Sequence, residues 1–136
     1  MSKAKVLFLC TGNSCRSQLA EALVNARMGD RWEAVSAGTQ PAGYVHPKAL
    51  AALAEVGIQH QGRSKLADEF RGVAFDLVVT VCDSAAEDCP LWLGQGHRVH
   101  HSFPDPAKAT GTEDEIMQSF CTVRDAIDQY IGELLA

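Results

Sequence analysis

Apolar and polar positions along the chain alternate between two rhythms. Val6-Leu7-Phe8-Leu9 is an unbroken apolar run that stops at Cys10-Thr11-Gly12-Asn13, the pattern of a buried strand entering a tight loop. From Arg16 onward, Leu19, Ala22, Leu23 and Ala26 recur at spacings of three and four until Gly29, which predicts a helix with one apolar face. Residues 32–37 read as a second strand, closed by Gly38. His46-Pro47 opens a second helix whose apolar positions are Leu50, Leu53, Ala54 and Val56, ended by Gly57. Residues 75–81 form the clearest buried strand, with Cys82 at its C-terminal end, and residues 98–103 a weaker fourth strand leading into Pro104-Asp105-Pro106. A last helix is expected over residues 112–134, facing inward through Ile116, Phe120, Val123, Ile127 and Ile131 or Leu134.

Strands alternating with helices imply an α/β domain whose mainly parallel sheet is covered on both faces. Ligands of such sheets bind beyond the carboxyl ends of the strands. Cys10, Cys82 and Asp105 all fall at or just past predicted strand ends, so one edge of the sheet can gather them. There are no repeats or linkers, and residues 1–136 are expected to make one domain. The 46% hydrophobic and 21% charged composition is ordinary for a globular chain and excludes wholesale disorder.

Charge narrows the choice of partners. The formal net charge is −5 and no run of Lys or Arg is present, so neither nucleic acid nor an anionic membrane is an expected partner. An anionic substrate must therefore be held by local groups. The first apolar run is too short for a signal-peptide core, and a cytoplasmic location is expected. Five cysteines, an odd number, point there to free, catalytic or redox-active thiols rather than a disulfide framework. The five histidines have no metal-ligand spacing with the cysteines, and no metal or other cofactor is expected. His97, His100 and His101 read as a polar face. Nothing in the chain demands a dimer, and a monomer is expected.

The segment Cys10-Thr11-Gly12-Asn13-Ser14-Cys15-Arg16-Ser17 carries the most chemistry. Gly12 and Asn13 tolerate left-handed backbone, which lets successive N–H groups turn inward as an anion nest. A helix starting near Cys15 adds the positive end of its dipole, and the Arg16 guanidinium can pair with two oxygens of a tetrahedral oxyanion. Such surroundings favour a Cys10 thiolate, to which Ser17 can donate a hydrogen bond. The Gly-Lys-Ser/Thr ending of a nucleotide-binding loop is absent.

This loop resembles the active-site loop of the low-molecular-weight protein tyrosine phosphatase superfamily, and the resemblance extends over nearly the whole chain, including Asp105-Pro106 shortly before the last helix. It implies a three-layer sandwich around a four-stranded parallel sheet in the order 2-1-3-4. The superfamily contains phosphatases and thiol-linked arsenate reductases. Three features favour the reductases: the Cys82 and Cys89 pair, which resembles that of thioredoxin-coupled arsenate reductases; Gln18, where phosphatases usually carry proline; and Ala107-Lys108 after Asp105-Pro106, where phosphatases typically carry aromatics.

On that reading arsenate, shaped like phosphate, binds residues 11–17 (Thr11, Gly12, Asn13, Ser14, Cys15, Arg16 and Ser17), Cys10 attacks arsenic, and Asp105 protonates the departing oxygen. Cys82 then attacks the Cys10 sulfur and Cys89 attacks Cys82, leaving a disulfide for thioredoxin or, alternatively, a glutathione and glutaredoxin system. Adjacent strands, about 4.8 Å apart, would bring Cys10 and Cys82 within disulfide reach. Seven positions apart in a continuous helix, Cys82 and Cys89 would be separated by roughly 10 Å, so the relay requires that segment to rearrange. The expected role is arsenic detoxification.

Other residues keep two readings. Cys15 is a small loop residue or, as the resemblance allows, a protective disulfide partner of Cys10; Cys121 is structural. Asp105 is a turn residue or the acid. Some of these reductases bind a monovalent cation through positions matching Asn13, Glu21 and Ser36 plus an acid, and the acid's position is Lys65 here. Lys65 is either an ammonium in the cation's place or a solvated surface residue. The alternative function is a phosphatase using Cys10, Arg16 and Asp105. A third reading is a redox-sensing module whose thiol does not turn over.

Overall fold

The computed structural model describes residues 3–81 and 96–135. Strand β1 (Ala4–Cys10) is followed by helix α1 (Arg16–Met28), β2 (Trp32–Gly38), α2 (Pro47–Glu55), β3 (Leu77–Thr80), β4 (His97–His100) and α3 (Glu113–Leu134). All strand pairings are parallel and the order is β2-β1-β3-β4, as the resemblance implies. The interior strand β1 is an unbroken apolar run because both of its faces are covered, and Val6 to Leu9 are fully buried. Its C-terminal end sits between neighbours on both sides: Cys10 lies opposite Gly38 of β2, and Leu9 opposite Thr80 of β3.

The two faces of β1 enter different cores. Val6 and Phe8 pack with Leu19 and Leu23 of α1, Leu53 of α2, and Phe120, Ile127 and Ile131 of α3. Leu7 and Leu9 pack with Ala37, Phe75 and Val78, against which Phe70 and Val73 are laid. The period-2 alternation of a strand thus divides one apolar run between two layers.

Several boundaries differ from expectation. The third strand is shorter than residues 75–81, although its flanks remain tied to β1: the Asp76 N–H donates to the Lys5 carbonyl at 2.9 Å and the Val81 N–H to the Leu9 carbonyl at 2.9 Å. The fourth strand ends at His100 rather than residue 103. Past His100 the chain leaves the sheet: the His101 ring stacks on Tyr130 of α3 at 4.2 Å, and Phe103 is buried in the larger core. The inward face of α2 is Ala49, Ala52 and Leu53, whereas Ala54 is exposed and Val56 is 37% exposed. Among the inward positions expected on the last helix, Ile116 and Leu134 are only partly buried. A capping box starts that helix, the Thr112 hydroxyl accepting from the Glu115 N–H while Glu115 returns to the Thr112 N–H. Among the described residues no helix is long and apolar enough to cross a membrane.

Gly38 sets how closely β2 approaches the loop after β1. A Cβ there would run into the Thr11 carbonyl oxygen and lie 3.1 Å from the Asn13 nitrogen. Gly38→Ala is therefore expected to lower stability by about 1–3 kcal/mol through overpacking, read as a lower midpoint of urea denaturation. An unchanged midpoint would show that the loop gives way freely.

Candidate active site

The loop between β1 and α1 is held from behind, by its carbonyls. Thr11 O accepts from the Gln40 N–H at 3.0 Å, Gly12 O from the Ala42 N–H at 2.8 Å and the Ser64 hydroxyl at 2.9 Å, and Ser14 O from the His46 N–H at 2.9 Å. Asn13 O accepts from the Gln18 carboxamide at 3.1 Å. Within a planar trans peptide the N–H points opposite to the C=O. Fixing these four carbonyls outward therefore turns the N–H groups of residues 12–15 toward the opposite side, an anion nest. Asn13 has φ +49, while Gly12 is not in the left-handed region, so the nest needs one left-handed residue rather than the two expected.

Cys10 forms the floor of this ring and is 2% exposed. The Asn13 N–H donates to its sulfur at 3.2 Å, and the Ser17 hydroxyl lies 2.9 Å from it. Asn13 Nδ2 donates to the Ser17 oxygen at 2.8 Å, which leaves the Ser17 hydrogen free to point at the sulfur. Two donors thus converge on the Cys10 sulfur.

Arg16, on the first turn of α1, is 3% exposed. Its Nη1 donates to the Phe103 carbonyl at 3.1 Å, and its Nη2 lies 3.7 Å from Asp105 Oδ2. Asp105 serves as a turn residue and also faces Arg16. Its Oδ1 accepts from the Ala107 N–H at 3.0 Å as the cap of a short 3-10 turn, Pro106–Lys108, while Oδ2 faces the guanidinium. A groove beside Asp105 is lined by Pro104, Pro106 and Lys108 on one wall and by Gln118 and Val123 of α3 on the other, with no aromatic ring among its described residues.

A second layer of polar residues stands behind the loop. Lys65 is 8% exposed, which overturns the solvated-surface reading. Its ammonium lies 3.7 Å from Glu21 Oε1 and donates to the Arg63 carbonyl at 2.8 Å, and Ser36 donates to the same Glu21 oxygen at 2.9 Å. Burial pulls the Lys65 ammonium below its ordinary pKa while Glu21 opposes the shift. The Lys65 backbone N–H donates to Asn13 Oδ1 at 2.8 Å, so this cluster is continuous with the nest. Gln18, singled out in the sequence only as a departure from proline, is fully buried and bridges Asn13 to residues 60–63. His60, its partner, lies in a polar stretch with no periodic signal, and only the contact between distant segments identifies it.

The remaining cysteines divide. Cys15 is a free thiol at the N-cap position of α1, where its side chain makes no capping hydrogen bond; burial pushes the thiol up to about 12, so it stays protonated at neutral pH. Cys121 is a buried free thiol whose sulfur lies 3.5 Å from Glu55 Oε1, and burial raises its pKa as well. Cys82 and Cys89 lie outside the described residues.

Residues 5–136 match the low molecular weight phosphotyrosine protein phosphatase family. The chain is 45% identical over 132 residues to an arsenate reductase of Halalkalibacterium halodurans, covering 96% of this chain and 94% of that protein. Among solved structures, it superposes on an arsenate reductase from Archaeoglobus fulgidus with a TM-score of 0.67 and 31% identity, covering 93% of this chain and 98% of that one. It also superposes on a thioredoxin-dependent arsenate reductase of Corynebacterium glutamicum with a TM-score of 0.68 and 29% identity, covering 98% of this chain and 60% of the other. The loop at the end of β1 stands within a match over almost the full length, and that match fixes the family: the chain belongs to the low molecular weight phosphotyrosine protein phosphatases.

Proposed function

We propose that the protein is an arsenate reductase working in the cytoplasm, with Cys10 as nucleophile and thioredoxin as the reductant. The observation that carries the reading is the Cys10 sulfur at the floor of a ring of inward N–H groups, with Arg16 and Asp105 paired at 3.7 Å. Arsenate presents a tetrahedron of oxygens to these donors, and the guanidinium offsets its charge. The Cys10 thiolate displaces one oxygen, which leaves as water with protons supplied by Asp105 and the acidic anion itself; a sulfur–arsenic bond forms and arsenic stays pentavalent.

Electron transfer then runs through sulfur. The Cys82 thiolate attacks the Cys10 sulfur, an S–S bond forms, and the sulfur–arsenic electron pair goes to arsenic, which leaves as arsenite. The Cys89 thiolate next attacks Cys82, releasing Cys10 and leaving a Cys82–Cys89 disulfide that thioredoxin reduces. Two features support the choice of reductase over phosphatase: the similarity to arsenate reductases across the chain, and the Cys82 and Cys89 pair itself. Val81, the chain neighbour of Cys82, is bonded to Leu9, the neighbour of Cys10. Phosphomonoester hydrolysis through the same nucleophile is the second reading, and the family match favours it; among the groove's described residues no aromatic ring is present for an aryl phosphate to stack on.

Arsenite production with thioredoxin and its reductase tests the relay. Cys10→Ser is expected to abolish it, while Cys82→Ser and Cys89→Ser lose multiple turnovers but keep whatever phosphatase activity the wild type has. Full arsenate reduction by both downstream variants would end the three-thiol mechanism.

Asp105→Asn keeps an oxygen for the turn but loses the acid. Arsenate turnover is expected to fall about 10²–10⁴-fold. A turnover within twofold of wild type would remove Asp105 from the chemistry.

The reading includes the Lys65 ammonium, facing Glu21, as a built-in substitute for the monovalent cation that the resemblance implies, supporting Asn13 without an ion. Replacing sodium by potassium at constant ionic strength is expected to leave turnover unchanged. A severalfold rise in potassium would mean that an ion still binds.

A further inference from the structure

Behind the nucleophile loop, one buried carboxamide makes four polar contacts, and their chemistry fixes its orientation. Gln18 Nε2 lies 3.1 Å from Asn13 O, 3.1 Å from Asn13 Oδ1 and 2.8 Å from Arg63 O. Backbone carbonyls only accept, so this end of the carboxamide must be the NH₂ group. The other end, Oε1, can only accept, and its partner is His60 Nε2 at 2.8 Å. His60 Nε2 must therefore carry a hydrogen. The charged groups facing the imidazole are Glu21, whose Oε2 lies 3.7 Å from Nε2, and the Lys65 ammonium paired to the other Glu21 oxygen. Burial and Lys65 disfavour the imidazolium, Glu21 favours it, and the net direction is down, which leaves the neutral Nε2–H form at neutral pH.

From that hydrogen an uninterrupted path of hydrogen bonds leads to the nucleophile. His60 donates to Gln18, Gln18 donates to both oxygens of Asn13, Asn13 donates to Ser17, and the Asn13 N–H and the Ser17 hydroxyl converge on Cys10. Asn13 is also the left-handed residue of the loop, a conformation that a non-glycine residue keeps only when its surroundings hold it. Gly62 makes room for the link: a Cβ there would strike both His60 Nε2 and Gln18 Oε1.

We propose that His60 is a positioning residue for Cys10, acting through Gln18: by donating to the carboxamide oxygen it fixes the end of Gln18 that faces Asn13, and so keeps the Asn13 N–H and the Ser17 hydroxyl aimed at the sulfur. Without that donor the buried oxygen loses its partner, and a carboxamide turned over would set its oxygen against three others. The left-handed Asn13 would then be less firmly held, and fewer donors would favour the thiolate. The inference rests on Cys10 being the nucleophile.

The rate of Cys10 alkylation by iodoacetamide across a pH series, followed by peptide-resolved mass spectrometry on the full chain, tests it. Two variants break the same link by different means: His60→Leu removes the donor, and Gly62→Ala drives a methyl group between partners that both remain. Each is expected to slow alkylation about tenfold near neutral pH, with rates converging on wild type in strong alkali where every thiol is ionised. His60→Gln restores an N–H donor of similar reach and is expected to recover most of the neutral-pH rate. Wild-type rates in a folded His60→Leu or Gly62→Ala protein would overturn the proposal, as would equal slowing in His60→Gln and His60→Leu. Gly62→Ala decides the matter if His60→Leu does not fold. A wild-type Cys10 no faster than free cysteine at neutral pH would instead sink the nucleophile reading itself.

Discussion

Four successive carbonyl groups, those of residues 11–14, are each bonded to a donor behind the loop, and the chemistry in front of it depends on that arrangement. Crowding several N–H dipoles around one point is unfavourable for a chain left to itself, because their positive ends repel. The outward hydrogen bonds offset that repulsion, each with a net contribution of about 1 kcal/mol. Their donors are Gln40, Ala42 and His46 from the segment joining β2 to α2, Ser64, and Gln18 of α1. The nest is therefore a product of tertiary structure: the eight-residue motif supplies the groups, and distant segments set their direction.

Charge is arranged in two layers around the loop. In front, Arg16 is fixed by the Phe103 carbonyl and faces Asp105, so for the proposed reaction the guanidinium is oriented in advance. Behind, Glu21 takes contacts from Ser36, Lys65 and His60. A largely buried carboxylate without a partner is costly, whereas Glu21 accepts from the Ser36 hydroxyl and has its charge offset by the nearby Lys65 ammonium. That second layer touches the nest through the Lys65 N–H on Asn13 Oδ1 and through Gln18.

The sequence reading was most accurate where chemistry follows from local pattern. Strand and helix order, the sheet order drawn from the resemblance, and the meeting of Asp105 with the loop after β1 could be anticipated from the apolar pattern and from Cys10 and Asp105 standing at or past strand ends, whereas the facing of Arg16 and Asp105 emerges only in the fold. Misplaced features have physical causes. Leu50 and Val56 read as core from their hydrophobicity, whereas the inward face of α2 is carried by Ala49, Ala52 and Leu53. Phe103 continued a strand pattern but anchors a turn instead. Gln18 and His60 carry no periodic signal, since a buried polar pair is defined by partners far along the chain.

The nest has a consequence for selection among anions. Its donors register oxygen positions and negative charge, and phosphate offers the same tetrahedron as arsenate. In a phosphate-rich compartment the ring above Cys10 is then occupied much of the time by the wrong anion, and no rearrangement of N–H groups cures that competition. Discrimination falls to the central atom: arsenic attached to sulfur accepts an electron pair and departs, whereas phosphorus does not. For the proposed reaction, recognition is lenient and commitment is strict, so the choice is made after binding.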